Sequence, residues 1–308
     1  MKQKIVWLTG ILGAQILLVL VFYVLGQNAS PKLESKPLIN FDKTALSKVS
    51  ISDGDADVVL ERKGNAWKIS TLHNLPVNQA KLEGLLDTLA SLQTQWPVTS
   101  TTSSHQRFEV ASSAFNKRIT LYNGDETMAQ LYLGTSPSFK KSHVRVEGAD
   151  EVYALEINAY ELATNASDWL DKSLLAVPKL LSIKGDNFEI KLDEAQKAWE
   201  FADTTQQALD QEKAQALADA LTTLNVIAVA DNAPAFDGGE VKTLTVASGE
   251  AFSYHFMQKD SRYYVKRADI GEVAFTISQH DYEGLVNASL EPLQAAPEVA
   301  PESPEPKE

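Results

Sequence analysis

Residues 48–92 read KVSISDGDADVVLERKGNAWKISTLHNLPVNQAKLEGLLDTLASL, and residues 180–224 read LLSIKGDNFEIKLDEAQKAWEFADTTQQALDQEKAQALADALTTL. At a constant offset of 132, Ser50-Ile51 recurs as Ser182-Ile183, Ala66-Trp67 as Ala198-Trp199, Lys81 as Lys213, and the ladder Leu85, Leu89, Leu92 as Leu217, Leu221, Leu224. Eleven of these forty-five ungapped positions are identical, where about three would coincide between unrelated segments of ordinary composition. The match resumes at shorter spacings, with Val144-Arg145 facing Val265-Lys266, Glu151-Val152 facing Glu272-Val273, and Asn165-Ala166-Ser167 facing Asn287-Ala288-Ser289. Two copies are too few for a solenoid, so the pattern predicts two similar domains in tandem, 40–178 and 179–290.

Each copy opens with a short apolar strand, at Lys48–Ser52 or Leu180–Lys184, followed by a hairpin that ends in the tryptophan strand. In the first copy Asp57–Arg62 and Ala66–Ile69 flank Lys63-Gly64-Asn65, whose glycine and asparagine tolerate positive φ. In the second copy the arms are Glu189–Asp193 and Trp199–Phe201. A helix comes next. Leu82, Leu85, Leu86, Leu89 and Leu92 step by three and four along one face behind an Asn78 cap, and Asp210 caps the equivalent helix. The first helix is expected to stop at Trp96-Pro97, because proline lacks the backbone donor and restricts the residue before it. Strands are then expected at Arg118–Tyr122, Met128–Leu133, Ser142–Val146 and Val152–Leu155, separated by turn residues such as Asn123-Gly124-Asp125. The same order appears as Lys242–Val246, Phe252–Met257, Arg262–Arg267 and Val273–Ile277. Short closing helices are expected around Ala159–Thr164 and His280–Val286. Strands in runs joined by hairpins give an α+β class, with antiparallel sheets each covered by the Leu-rich helix.

Outward from the repeats, Lys2 and Lys4 precede an uncharged stretch, Ile5–Leu25, that as a helix would be about 31 Å long, the thickness of a bilayer core. A cleaved secretory leader would have a shorter apolar core. The expected layout is a cytoplasmic N-terminus (1–4), a transmembrane helix (5–25), a linker (26–39), the two domains, and a disordered Pro/Glu tail (291–308). Lysines before the span keep the N-terminus inside, which places the domains outside the cytoplasm: a single-pass inner-membrane protein with its C-terminal part in the periplasm. The chain has no cysteine, so lipid attachment through cysteine is excluded. A net charge of −13 argues against nucleic acid as a partner and against electrostatic adhesion to an anionic membrane surface.

Chemistry-bearing residues are sparse. His73, His105, His143, His255 and His280 form no metal-ligand spacing, and His143 and His255 are expected at a strand surface or hairpin. Ser138-Phe139-Lys140-Lys141 satisfies S-x-x-K, but it follows Pro137 in a loop and lacks the companion motifs of penicillin-recognising enzymes. Gly238-Gly239 has no phosphate-cradle residues around it. Trp67 and Trp199, at equivalent positions, read as core residues beneath the helices rather than as sugar-stacking platforms. Arg145, Lys266, Lys140, Lys141 and Arg267 could make a basic strip, with a solvated strand face the plainer reading. No catalytic, cofactor or metal residues are therefore assigned.

The single N-terminal span, the W-x-[IF] strand, the capped Leu-rich helix, Leu131-Tyr132-Leu133-Gly134, Val144-Arg145-Val146 and Glu151-Val152-Tyr153 together resemble the DUF 4340 family, a domain of unknown function, over most of residues 40–290. In the second copy the L-x-L-G turn has become His255-Phe256-Met257-Gln258, so any function tied to that turn would reside in the first. Members of that family look like accessory proteins of gliding-motility-type ABC transporters, which implies a role beside such a transporter. The expected function is thus a non-enzymatic, membrane-anchored periplasmic accessory protein, with ABC transporter subunits as partners. A glycan- or lipid-binding protein, or an envelope hydrolase using Ser138 and Lys141, is the alternative.

Overall fold

The computed structural model describes residues 2–29, 35–205, 208–230, 232–236 and 241–295. Helix α1 (Lys2–Ala29) comes first. The first copy then supplies β1 (Lys48–Ser52), β2 (Asp57–Lys63), β3 (Ala66–Ile69), β4 (Leu75–Pro76), helix α2 (Gln79–Ser91), the small hairpin β5 (Val110–Ala111) and β6 (Ala114–Phe115), β7 (Lys117–Asn123), β8 (Glu126–Leu133), β9 (Ser142–Val146) and β10 (Tyr153–Leu155). The second supplies β11 (Ser182–Lys184), β12 (Glu189–Asp193), β13 (Ala198–Phe201), α3 (Gln211–Thr222), β14 (Val226–Val229), β15 (Lys242–Ala247), β16 (Ala251–Lys259), β17 (Arg262–Arg267), β18 (Ala274–Ile277), α4 (Gln279–Val286) and α5 (Leu290–Leu293).

The fold is mixed α/β with two eight-stranded antiparallel sheets, ordered β10-β9-β8-β7-β1-β2-β3-β4 and β13-β12-β11-β15-β16-β17-β18-β14. Read in opposite directions, the orders coincide over seven strands, and each sheet adds one edge strand of its own, β4 or β14. The offset of 132 holds through the first hairpin, where Ile51 faces Val58 and Ile183 faces Ile190. It fails at the next pairing: Trp67 sits opposite Arg62, but Trp199 sits opposite Leu192. A two-residue turn closes the first hairpin, with Gly64 at φ 63°, and a four-residue turn closes the second, with Lys197 at φ 53°. A slip of two residues leaves every side chain on its original face, which is why both tryptophans stay buried.

By contact density the chain divides into one unit of Met1–Asn40, Thr88–Asn116 and Leu131–Ala159, and another of Phe41–Asp87, Lys117–Gln130 and Tyr160–Glu308. In the first unit, the described side chains of α1 between Trp7 and Tyr23 are exposed, Leu17 at 65% and Phe22 at 68%. Among the described residues no helix is long and apolar enough to cross a membrane, so the span expected at Ile5–Leu25 is observed as a helix only. The expected linker is partly ordered: Leu38 N–H donates to Leu92 O (2.8 Å), Thr94 N–H to Lys36 O (2.7 Å), and Ile39 is buried. This pairing draws the chain off α2 after Ser91, five residues before the Trp96-Pro97 stop expected from proline alone.

In the second unit, Val49, Ile51, Val58, Leu60, Ile119 and Leu121 form one fully buried row across β2, β1 and β7. Helix α3 starts where Asp210 accepts hydrogen bonds from the N–H groups of Glu212 and Lys213, and it packs on β13 and α4. The helix expected at Ala159–Thr164 is replaced by two 3-10 turns, Ala159–Glu161 and Ala166–Trp169. They deliver Trp169, fully buried, where its indole donates to Ala163 O (2.8 Å) and its carbonyl accepts from Asn78 N–H (2.7 Å). At the C-terminal end the expected tail begins too early: α5 is formed, Leu293 is 2% exposed and Gln294 bridges Leu209. The remainder of that tail, 296–308, lies outside the described residues.

Candidate functional site

The most highly built polar arrangement recurs in both sheets and arises from strand register. In the first unit β8 sets Tyr132 opposite Arg145 of β9; in the second, β16 sets Tyr254 opposite Arg267 of β17. Both arginines are nearly inaccessible, at 5% and 8%. Arg145 donates from Nε to Val110 O (2.7 Å), from one terminal nitrogen to Val146 O and Ala149 O, and from the other to Glu147 (3.4 Å), and lies 4.6 Å over the Tyr132 ring. Arg267 meets Asp269 with two nitrogens (2.7 and 3.1 Å), donates to Leu175 O (3.1 Å) and to Tyr254 Oη (3.3 Å), and lies over the Phe252 and Tyr254 rings.

Burial works against the charge on Arg267, but its hydrogen bonds with Asp269 and Tyr254 outweigh that and hold its pKa above the ordinary value. Burial likewise raises the Tyr254 hydroxyl, with Arg267 partly opposing. Each guanidinium uses its fork on fixed carbonyl and carboxylate oxygens, which makes the pair a clamp between a strand and a loop. This register corrects the sequence match: Arg145 corresponds to Arg267, not to Lys266. A readable signal existed, since Tyr is followed thirteen residues later by Arg and two further on by an acid in both copies.

The expected basic strip does not assemble. Arg145 and Arg267 are buried, Lys141 pairs with Glu156 (3.7 Å), Lys266 pairs with Glu272 (3.0 Å), and Lys140 lies over Phe139. Ser138 and Lys141 form a backbone-closed turn at the β8–β9 connection, with the lysine ammonium directed to Glu156. His143, expected at a surface or hairpin, is 8% exposed; its Nδ1 shares a hydrogen bond with Thr135 Oγ1 (2.8 Å), and its ring packs 4.6 Å from Phe108. Burial pushes its pKa down. His105 meets Asp150 O and His255 meets Thr243, and among the described residues no group of three or more His, Asp or Glu could hold a metal ion. Trp67 and Trp199 are 5% and 4% exposed, so neither offers a ring face for stacking. Gly238-Gly239 lies outside the described residues.

Two further features show what the fold does with its acids. Asp53 accepts from Thr164 Oγ1 (2.6 Å), Ala56 N–H (2.9 Å), Asp55 N–H (3.2 Å) and Lys117 Nζ (3.1 Å). The Thr164 hydroxyl and the Ala56 amide foremost hold its carboxyl far below the usual range, which makes it a tie and a poor proton acceptor. A cleft of about 630 Å³ lies between α3 and α4, lined by Lys213, Asp219, His280, Asp281, Glu283 and Asn287 among others. Its acids are already engaged: Asp219 by Gln215, Asp281 by Ser278, Glu283 by Gln279.

The family model for the domain of unknown function DUF4340 matches residues 67–246, from Trp67 of β3 to Val246 of β15. That span is shorter than the 40–290 expected from the motifs and takes in parts of both copies. No curated protein and no solved structure matched the chain. With more than half of its length matched, the chain belongs to the DUF4340 family.

Proposed function

We propose that this chain is a non-enzymatic, single-pass inner-membrane protein whose tandem domains, 40–178 and 179–290, act in the periplasm as an accessory module for an ABC-type transporter. The observation that carries the anchor is α1: Ile5–Leu25 has no charged residue, and its described side chains are exposed with no protein packed around them. A helix apolar on all sides is stable only in an apolar surrounding, and lipid provides one. Lys2 and Lys4 orient it with the N-terminus inside. The duplication is supported by the shared order of seven strands and by the repeated Tyr–Arg clamps. The transporter partner comes from the family resemblance, and the two arginine clamps and Asp53 are engaged in holding the fold.

The test is purification of the full-length protein from mild detergent through a tag placed after Glu308, with co-purifying proteins identified by mass spectrometry. Transporter subunits are expected in stoichiometric amount. A solitary protein recovered from membranes would sink the partner while keeping the anchor; recovery without detergent would sink the anchor.

A further inference from the structure

Of the large apolar side chains exposed outside α1, Trp96 (66%) and Val98 (46%) are neighbours and flank Pro97. Their exposure is imposed, because the chain is held on both sides of them. Upstream, Leu92 and Thr94 are bonded to Leu38 and Lys36, with Thr94 Oγ1 also accepting from Lys36 N–H (3.1 Å). Downstream, Val98 N–H donates to Val152 O (2.7 Å) and Thr99 O accepts from Val152 N–H (2.9 Å). Between these anchorage points Gln95 and Trp96 are exposed and Pro97 is half-buried, and the proline restricts the backbone.

The residues that hold Trp96 are those by which the chain coming from α1 docks. Residues 30–34 separate the end of α1 from Ser35, and six Cα steps reach at most about 20 Å. The apolar stretch ends at Leu25, so the last residues of α1 lie in the headgroup layer of about 6 Å. Lys36, which is exposed, pairs with Thr94 two residues before Trp96. Trp96 is thus tethered within reach of the bilayer interface, where a tryptophan ring is shielded and its N–H stays hydrated.

We infer that Trp96 and Val98 form a second membrane contact, seated in the zwitterionic headgroup layer, which ties the first unit to the bilayer beside its anchor. The inference rests on the anchor reading above. Exposed Asp150 and half-buried Glu151 precede Val152, which bridges Thr99, and disfavour an anionic surface as the occupant.

The chain has no cysteine, so Trp96→Cys and Leu18→Cys variants of the full-length protein each carry one site for an environment-sensitive fluorophore. They are reconstituted in phosphatidylcholine vesicles containing lipid spin-labelled either at the headgroup or deep in the acyl chain. The label at 96 is expected to lose emission chiefly to the headgroup quencher, and the label at 18 chiefly to the deep one. Quenching at 18 with none at 96 overturns the second contact and leaves the anchor standing, the patch then being free for a protein or glycan. Quenching at neither position overturns both.

Discussion

Arg145 commits its guanidinium to Val110, Val146, Ala149 and Glu147, and three of those four acceptors are backbone carbonyls that cannot follow a shorter side chain. Arg145→Leu is expected to destabilise the protein by about 2–3 kcal/mol, the cost of leaving buried acceptors without a donor. Arg145→Lys should recover little of it, because a single ammonium does not reproduce the fork. Urea unfolding followed by tryptophan emission measures both. His143 carries a pH prediction. Its folded pKa is depressed by burial, so between that value and the ordinary 6.5 the unfolded chain binds the extra proton. The neutral ring's contribution is present above about pH 6.5 and lost as pH falls below it. Unfolding midpoints at several pH values should therefore fall more steeply on acidification in the native protein than in His143→Phe, and equal slopes would refute the account.

At the scale of elements, Leu131-Tyr132-Leu133-Gly134 is not the turn it resembles. Its first three residues end β8, and Gly134 continues the ladder, donating to His143 O (2.9 Å). The glycine is there for close approach: a Cβ would sit 1.9 Å from Phe108 O and 2.5 Å from Glu109 O, both backbone atoms, in a loop where Glu109 has φ 56°. Gly134→Ala is expected to cost about 3 kcal/mol or more, read as a lowered thermal midpoint. By register the second copy has Phe256 at this place, fully buried and opposite Val265. Departure from the motif is thus a change of packing partner. The helices, hairpins and most strands were legible because 3.6 and 2.0 periodicities are local, and Asn78 and Asp210 mark their helix starts. The edge strands β4 and β14, the β5–β6 hairpin and α5 carry two to four residues each and little periodic signal, so only their neighbours define them.

For the whole molecule, the exposed side chains of α1 predict that this helix adds nothing to the stability of either sheet. Deleting residues 2–29 should leave the thermal midpoint unchanged and, on the anchor proposed above, move the protein from the membrane pellet to the soluble fraction. A lowered midpoint would mean that α1 packs on the chain. Trp169 is the opposite case. It is fully buried among residues of the second unit, with Lys81 Nζ 4.5 Å over its ring, and Trp169→Ala should cost about 3–5 kcal/mol in the same assay.

The sequence by itself determined the duplication, the class of each element and the uncharged N-terminal stretch, because those reside in spacing and composition. It also determined that the two tryptophans are core residues, since a slip of two residues at a hairpin turns no side chain over. Tertiary structure alone decided the register that pairs Arg145 with Tyr132 and Arg267 with Tyr254, the burial of those cations, the need for glycine at 134, and the exposure of Trp96. Each of these depends on which distant backbone lies within a few ångströms, and that distance is set by the packing of the whole chain.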